Sequence, residues 1–332
     1  MASTIAYETS SKALLRPAED AVFFQGWDTK VDNLNYDLLC AEMSRLAYAS
    51  EDVVRGALQD VGFTLLEYIG GDSLEQRVLS RGTQGFVAHN PKNNLTILAF
   101  RGTESNKVED LFFDGSTLQK KWPNFKGCLV HEGFANCWGC VSNRLTQCLA
   151  NRKGELLITG HSLGAAIATL AAIEIKPSLL ITFGSPLVGN DKLAALLDPK
   201  KIRRYVNCCD LITRVPPERF DKKNITQLFA ELAAIEGLPH LGAFFAKRAI
   251  QGIGAAISFM MHLLHLDPHF KHVAREIYID RHGTIQRNIT PKDRHRDQEA
   301  ARHAYARSLT SPPFRDLADH TPLNYVSAFT GR

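Results

Sequence analysis

A glycine-bounded serine provides the clearest chemical signal in the sequence. Residues 160–164 read Gly-His-Ser-Leu-Gly, so Ser162 stands at the centre of a G-x-S-x-G pattern. In that pattern the serine lies on a sharp turn between a strand and a helix, and a Cβ on either flanking glycine would collide with the adjoining element. Such a turn holds the serine backbone in a strained conformation. The alternative interpretation is a glycine-bounded structural turn that does no chemistry.

The residues on either side of this pattern have the composition that such a turn requires. A short apolar run at 156–159 precedes it and predicts a buried strand. An alanine-rich stretch at 165–175 follows it and predicts a helix that can pack closely against a sheet. This strand–turn–helix context favours a catalytic Ser162 over a structural turn.

A catalytic serine needs two partners elsewhere in the chain. Its hydroxyl is a poor nucleophile near neutral pH, so a histidine must accept its proton and a carboxylate must orient that histidine. In a strand–turn–helix site the order along the chain is Ser, then Asp or Glu, then His. Asp210 follows a predicted strand at 202–206, from where its carboxylate would reach the site. The alternative for Asp210 is a loop-capping aspartate before two prolines.

Spacing alone leaves the choice of histidine open. Nine histidines follow Asp210, namely His240, His262, His265, His269, His272, His282, His295, His303 and His320. The first three fall in an apolar helical stretch, and His295 and His303 fall in a charged segment. His269 and His320 remain nearly equal candidates, because each lies in a loop close to a predicted element.

The order of the predicted elements indicates how these groups would meet. Apolar runs predict strands at residues 95–100, 156–159, 179–183, 202–206 and 275–280. Apolar residues at helical spacing predict helices at 38–48, 135–150, 165–175 and 192–197. Alternating strands and helices are typical of a parallel sheet covered on both faces. Reactive groups in such a sheet gather at the carboxyl ends of the strands.

The composition is that of an ordinary folded protein rather than of a nucleic-acid binder. The chain has 332 residues, of which 45% are apolar and 22% charged, with a formal net charge of +4. We expect one α/β domain over 1–332, with residues 1–33 as a polar lead-in. The charge is mild and no basic run is interleaved with aromatic residues, so no nucleic-acid partner is expected.

The cysteines and the first residues bear on the compartment of the protein and on metal binding. Seven cysteines, two of them the neighbours Cys208 and Cys209, favour reduced thiols, and residues 1–5 lack the layout of a secretory signal. They predict a cytoplasmic or peripheral membrane location, with non-classical secretion as the alternative. Cys137 and Cys140 have redox or metal spacing, but no second pair accompanies them. We expect no metal and no cofactor.

A set of short motifs in a fixed order gives the chain a resemblance to a known family. In chain order they are the helical segment 41–48, Ala-Phe-Arg-Gly-Thr at 99–103, Val-His-Glu-Gly-Phe at 130–134, the serine pattern at 160–164, Thr-Phe-Gly-Ser-Pro at 182–186 with Gly189 and Asn190, the segment 210–217, and His320 with Tyr325. Together they resemble the class 3 lipases, a fungal-type lipase family. The resemblance implies the α/β-hydrolase fold, in which helices flank a mostly parallel central sheet.

The resemblance also implies a role for each histidine and for the acid. Ser162 would be the nucleophile, Asp210 the orienting acid and His320 the base. The family commonly places this histidine a few residues before an aromatic, a spacing that the chain exceeds by one or two residues. His131 and His161 match positions that are structural in the family. We expect both to be packed, hydrogen-bonded imidazoles.

Further expectations concern the surroundings of the serine. By the same resemblance, the backbone N–H groups of Thr103 and Leu163 would form an oxyanion hole. The alternative for Thr103 is a plain strand-to-loop turn residue. The segment 104–114 matches a helical lid that opens over the serine, the alternative being an ordinary surface helix. Such a lid would present three adjacent apolar side chains to a lipid surface, Leu111, Phe112 and Phe113.

A long helical insert is the clearest departure from the family. It covers residues 224–266, and no charged residue lies between 249 and 266. We consider an amphipathic cap or interfacial element, a buried helical hairpin, and a transmembrane span. A span needs about 20 apolar residues, and Lys247 with Arg248 bounds this stretch just below that length.

The motifs together predict a serine carboxylic-ester hydrolase that acts on lipid esters through an acyl-enzyme. A phospholipase A1-type or acylglycerol-specific hydrolase, including one delivered as a secreted effector, is an alternative within the same chemistry. An inactive hydrolase-fold protein that binds a lipid or a partner is the alternative from another class. The expected partner is a lipid ester, met at a peripheral membrane or lipid-droplet interface.

Overall fold

A central sheet organises the part of the chain that the structure describes. The computed structural model describes residues 5–9, 21–24, 35–70, 83–102, 119–216, 269–306 and 315–331. Three predictions fall outside the described residues: Thr103, the lid at 104–114 with Leu111, Phe112 and Phe113, and the insert at 224–266.

Ten strands are present in the described residues. They are β1 (Thr64–Ile69), β2 (Gly85–Asn90), β3 (Leu95–Phe100), β4 (Gln119–Lys121), β5 (Leu129–His131), β6 (Glu155–His161), β7 (Leu179–Phe183), β8 (Ile202–Asn207), β9 (Glu276–Ile279) and β10 (Ile285–Gln286). Eight form one sheet in the order β1-β2-β3-β6-β7-β8-β9-β10, and β4 pairs with β5. The pairings from β3 to β9 are parallel, and those at both edges are antiparallel. The predicted mostly parallel sheet is confirmed.

Two of the described α-helices precede the first strand, and the others lie in connections between strands or near the chain end. They are α1 (Tyr36–Leu46), α2 (Glu51–Asp60), α3 (Glu132–Leu149), α4 (Leu163–Ile175), α5 (Asp191–Ala194), α6 (Pro291–Ala306), α7 (Arg315–Ala318) and α8 (Pro322–Thr330). Local signals set their ends. The Asn35 side chain caps α1 by accepting from the N–H groups of its first turn, and α4 ends at Lys176 in the left-handed conformation.

Alternate residues of the buried strands face the two sides of the sheet. In β3, Ile97 packs in a cluster that also holds residues of α1, α2 and α8, whereas Leu98 packs in a second cluster with residues of α3 and α4. Every residue of β3 is therefore buried, as expected for a strand covered on both faces. The described part of the chain has a helix–sheet–helix arrangement.

The sequence predicted the central elements better than the edge of the sheet. The strands β3, β6, β7, β8 and β9 and the helices α1, α3 and α4 fall where the apolar patterns predict them, within a few residues. The strands β1 and β2 were not predicted. The helix predicted at 192–197 is a single short turn at Asp191–Ala194.

Three neighbouring parallel strands end side by side at one edge of the sheet. Ser162 follows β6, Gly184 follows β7, and Asp210 lies three residues after β8. The register places His161 opposite Phe183, and Phe183 opposite Tyr205. The topology therefore brings these three segments together. In the described part of the chain, no helix is both long enough and apolar enough to cross a membrane.

Candidate active site

Ser162 stands on a strained turn between β6 and α4. Its backbone has φ 58° and ψ −128°, a region that non-glycine residues rarely adopt. The flanking glycines permit this turn. A Cβ at Gly160 would lie 2.3 Å from the carbonyl oxygen of Gly164, and a Cβ at Gly164 would lie 2.3 Å from the carbonyl oxygen of Phe100. The five-residue pattern thus forms the nucleophile elbow that its context predicted.

The side chains of Ser162, His320 and Asp210 form one hydrogen-bonded series. Nε2 of His320 lies 2.9 Å from Oγ of Ser162, and its Nδ1 lies 2.9 Å from Oδ2 of Asp210. Since an ionised carboxylate only accepts, Nδ1 carries the hydrogen, and Nε2 is free to accept from the serine hydroxyl. The three residues are only 2%, 5% and 1% exposed, respectively. This arrangement can activate a serine for acyl transfer.

A tight turn and a short loop deliver the two partners of the serine. After β8 the N–H of Asp210 donates to the carbonyl oxygen of Asn207 at 2.8 Å, which closes a turn. Oδ1 of Asp210 then accepts from the N–H of Ile212 at 3.0 Å. His320 lies in the loop between α7 and α8. The structure places His320, rather than His269, beside the serine.

Two further residues contact the acid and the base. The hydroxyl of Tyr325 donates to Oδ2 of Asp210 at 2.5 Å. A Cβ at Gly184 would lie 2.8 Å from that same oxygen and 3.0 Å from Nδ1 of His320. Burial raises the pKa of Tyr325 well above its ordinary value, and the charge of Asp210 raises it further, so the phenol stays a donor. The sequence motifs indicate Tyr325 only as a family marker. They do not predict its hydrogen bond to Asp210.

The two histidines expected to be structural differ in their surroundings. His161 is packed and hydrogen-bonded, with Tyr48 on one ring nitrogen and the backbone of His320 on the other. His131 is fully buried and its ring stacks on that of Phe134, with centroids 4.1 Å apart. Neither nitrogen of His131 has a hydrogen-bond partner among the described residues. The expectation of a hydrogen bond to His131 is not met among these residues.

One of the two proposed oxyanion donors lies within the described residues. Leu163 is the first residue of α4, so the helix's own i to i−4 hydrogen bonds do not use its N–H group. The helix N-terminus beside Ser162 also carries a partial positive charge that favours a developing anion. Thr103, the other expected donor, belongs to the part of the chain that is not described.

One buried cluster in the described residues has metal-ligating side chains. The ligand atoms of Cys208, Cys209 and Asp319 lie within 4.8 Å of one another. Protein donors already occupy the carboxylate of Asp319, including the Arg315 guanidinium at 3.0 Å. The cluster therefore has its charge balanced by the protein, and it does not fit a resident cation.

The fold and this arrangement together define an α/β-hydrolase: a nucleophile elbow after a central parallel strand, with the chain order Ser, Asp, His. Residues 97–220 match the family model described as lipase (class 3). The similarity to class 3 lipases that the ordered motifs predicted is therefore confirmed over these residues.

Curated relatives show the same similarity over part of their length. A secreted mono- and diacylglycerol lipase A of Penicillium cyclopium is 33% identical over 145 residues, which are 40% of this chain and 47% of the relative. A lipase of Rhizopus niveus is 32% identical over 156 residues, 42% of this chain and 39% of the relative. A chloroplastic phospholipase A(1) of Arabidopsis thaliana is 46% identical over 82 residues, 22% of this chain and 18% of the relative. The chain thus spans less than half of these relatives.

Solved structures of lipases also superpose on part of the chain. A triacylglycerol lipase whose catalytic centre is described as a serine protease triad covers 55% of this chain and 72% of its own, with 26% identity and a TM-score of 0.45. Lipase II from Rhizopus niveus gives 24% identity and a TM-score of 0.44, over 55% of this chain and 73% of its own. The similarity to class 3 lipases rests on the sequence match over residues 97–220 rather than on these superpositions.

The names of several relatives correct the predicted location. Relatives from Penicillium cyclopium, Fusarium solani and Gibberella zeae are named secreted mono- and diacylglycerol lipases. These names point to an extracellular location, so the prediction of a cytoplasmic or peripheral membrane location is wrong. The prediction relied on the odd number of cysteines. Free thiols are commoner inside cells, but they do not by themselves fix the compartment of a protein.

Proposed function

We propose that this chain is a serine carboxylic-ester hydrolase that acts on lipid esters through an acyl-enzyme. The observation that carries the proposal is the hydrogen-bond path from the hydroxyl of Ser162 through the imidazole of His320 to the carboxylate of Asp210. The family match and the relatives named lipases support lipid esters as the substrate class.

In the first half of the reaction, Oγ of Ser162 attacks the acyl carbonyl carbon while Nε2 of His320 takes the hydroxyl proton. The negative charge of Asp210 stabilises the imidazolium as it forms. The oxyanion that develops is held by the N–H of Leu163, with Thr103 as the proposed second donor. Losing one such donor typically costs about 3 to 4 kcal/mol of transition-state stabilisation.

His320 then gives this proton to the oxygen of the leaving alcohol as the ester C–O bond breaks, and the acyl group stays on Ser162, which completes the first half. A water molecule then gives its proton to Nε2 of His320 and attacks the acyl carbonyl. Collapse of the second tetrahedral intermediate releases the carboxylic acid and restores the serine. One imidazole thus serves as base and acid in turn.

A single substitution tests the proposed nucleophile. Ser162→Ala should reduce turnover of p-nitrophenyl butyrate by at least about 1,000-fold and leave the far-UV circular dichroism unchanged. Ser178→Ala is the matched control, because Ser178 is exposed and lies before β7, away from the carboxyl ends of the strands. Undiminished turnover in Ser162→Ala would refute the assignment.

The relatives also favour two more specific substrate classes. Their names include mono- and diacylglycerol lipases and a phospholipase A(1). Fatty acid release from trioleoylglycerol, dioleoylglycerol and phosphatidylcholine, measured on the same enzyme, would separate an acylglycerol-specific hydrolase from a phospholipase A1-type enzyme. A rate that is highest on the phospholipid would favour the second class.

A catalytically inactive lipid-binding protein is the proposal's rival from another class. A fluorophosphonate probe distinguishes the two, since it reacts only with an activated serine. We expect mass spectrometry to find the probe on the peptide that contains Ser162. Intact, folded protein that remains unlabelled would support the rival.

The proposed substrates are sparingly soluble, so we infer that the enzyme meets them at a lipid–water interface, such as a membrane or a lipid droplet. The net charge of +4 would favour an anionic surface. Turnover of tributyrin should then rise steeply once its concentration exceeds its solubility. A smooth hyperbolic dependence across that point would count against the inference.

A further inference from the structure

The carboxylate of Asp319 lies between the two loops that carry the acid and the base of the site. Its side chain is fully buried. Oδ2 accepts the backbone N–H of Cys209 at 2.9 Å, and Cys209 immediately precedes Asp210. Because Asp319 itself immediately precedes His320, this single hydrogen bond joins the two loops directly beside both groups.

A second hydrogen bond joins the same loops through the main chain of Asp319. Nδ2 of Asn207 donates to the carbonyl oxygen of Asp319 at 3.0 Å. Asn207 opens the turn that ends at Asp210, and its own carbonyl oxygen accepts the N–H of Asp210 at 2.8 Å. The turn that delivers Asp210 is therefore fixed to Asp319 at two points.

Two donors from other segments hold the Asp319 carboxylate in position. Nε of Arg315 donates to Oδ2 at 3.0 Å, and the hydroxyl of Tyr7 donates to Oδ1 at 2.7 Å. Burial raises the pKa of the Asp319 carboxyl above its ordinary value, while the guanidinium of Arg315 opposes that change. A buried carboxylate is tolerated when a cation and several donors surround it, and it then forms strong hydrogen bonds.

We propose that Asp319 is a positioning residue for the hydrolase reaction. Its carboxylate and its carbonyl oxygen hold the turn that ends at Asp210 against the loop that presents His320, and they thereby fix the contact between those two side chains. The inference rests on the proposed function. It adds to that function a buried group that contacts none of the reacting atoms.

Three substitutions test this role. Asp319→Ala removes the acceptor of the Cys209 N–H, and should lower kcat on p-nitrophenyl butyrate by about 10- to 100-fold. KM should stay within about threefold, because Asp319 does not contact substrate. Asp319→Asn keeps an oxygen that can accept the same N–H, and should recover most of the loss. Asn207→Ala removes the second hydrogen bond, and should lower kcat by about tenfold.

Asp280→Ala is the matched control for the cost of removing a buried carboxylate. Asp280 is 8% exposed, and its Oδ1 accepts the backbone N–H groups of His282 and Thr284 at 2.9 Å each. It contacts none of the three residues of the site. We expect Asp280→Ala to lower the free energy of unfolding while leaving kcat per folded molecule unchanged.

A spectroscopic readout separates positioning from loss of stability. The proton between Nδ1 of His320 and Asp210 should give a far-downfield ¹H NMR signal, assigned by its loss in Asp210→Ala. We expect the signal to disappear in Asp319→Ala and to persist in Asp280→Ala. Because the signal needs no turnover, it tests Asp319 even if the wild-type protein hydrolyses no ester, an outcome that would instead refute the proposed function.

Two results would overturn the proposal. The first is a folded Asp319→Ala protein with wild-type kcat and the downfield signal intact. The second is an equal loss of kcat in Asp319→Ala and Asp319→Asn, since only the first removes the acceptor. If Asp319→Ala fails to fold, the proposal is tested with Asn207→Ala instead. A wild-type kcat and an intact downfield NMR signal in Asn207→Ala would overturn the proposal.

Discussion

The Nε2–H of His161 donates to the carbonyl oxygen of His320 at 2.7 Å, so the residue before Ser162 holds the backbone of the proposed base. A carbonyl oxygen only accepts, so Nε2 carries the hydrogen and Nδ1 accepts from the hydroxyl of Tyr48 at 2.8 Å. Burial lowers the pKa of His161 well below its ordinary value, and the nearby His320 lowers it further. The imidazole of His161 is therefore neutral and fixed in one tautomer.

His161→Phe should weaken catalysis and stability together. The substitution keeps a flat ring but leaves the carbonyl oxygen of His320 and the hydroxyl of Tyr48 without their buried partner. We expect the free energy of unfolding in urea to fall by about 2 to 4 kcal/mol, and kcat per folded molecule by about tenfold. Tyr48→Phe removes the Nδ1 partner and leaves the bond to His320 in place, so it should keep most of kcat. Equal losses of kcat in both variants would contradict a specific role for the bond to His320.

Tyr325→Phe removes the hydrogen bond to the proposed acid together with one to the turn that precedes it. The phenol of Tyr325 donates to Asp210 and also accepts the backbone N–H of Asn207 at 3.1 Å. Without it, Asp210 loses one of the donors that set its orientation toward His320. We expect kcat on p-nitrophenyl butyrate to fall by about tenfold with little change in KM. An unchanged kcat would show that the other contacts of Asp210 suffice to hold its side chain toward His320.

Local patterns predicted the elements that surround the serine because those elements are locally determined. The apolar run of β6, the glycines of the elbow and the small residues of α4 each carry a signal within a few positions. The strands β1 and β2 were missed, since β1 is an edge strand that mixes exposed and buried residues. Its pairing with β2, rather than its own pattern, makes it a strand.

The partners of the serine depend on contacts between distant positions. His320 meets Ser162 across 158 positions of the chain, so spacing alone left His269 equally placed and the family resemblance decided the choice. The contact of Tyr7 with Asp319 spans 312 positions. From the sequence alone, a polar residue such as Asp319 is expected to lie in an exposed loop. Only the folded chain shows that its partners bury it.

The buried imidazole of His131, which has no hydrogen-bond partner among the described residues, predicts a loss of stability in mild acid. Burial lowers the pKa of His131 to about 4, against about 6.5 in an unfolded chain. The unfolded state therefore binds a proton between these pH values that the native state does not, and stability falls as the pH drops from 6.5 toward 4. This one group should remove about 3 kcal/mol between pH 7 and pH 4.

His131→Phe should flatten that dependence. The variant keeps a ring against Phe134 and has no proton to bind, so its free energy of unfolding should decrease by about 3 kcal/mol less than that of the wild type over the same range. His303→Gln is the control, because His303 is exposed. Urea unfolding at pH 7 and pH 4 measures the difference, and parallel pH dependences of the wild type and His131→Phe would contradict the buried, neutral imidazole.

Gly184→Ala should damage the site through shape alone. Gly184 follows β7 with φ +60°, and an added Cβ would lie 2.8 Å from Oδ2 of Asp210 and 3.0 Å from Nδ1 of His320. Both side chains would have to move, so we expect kcat to fall by about 100-fold, with about 1 to 2 kcal/mol of stability lost from the positive φ.

Gly139→Ala is the matched control, because Gly139 lies within α3 and a Cβ there would meet nothing within 4 Å. That variant should keep full activity and gain about 0.5 to 1 kcal/mol of stability. Wild-type kcat in Gly184→Ala would show that Asp210 and His320 are not held as closely as the geometry indicates.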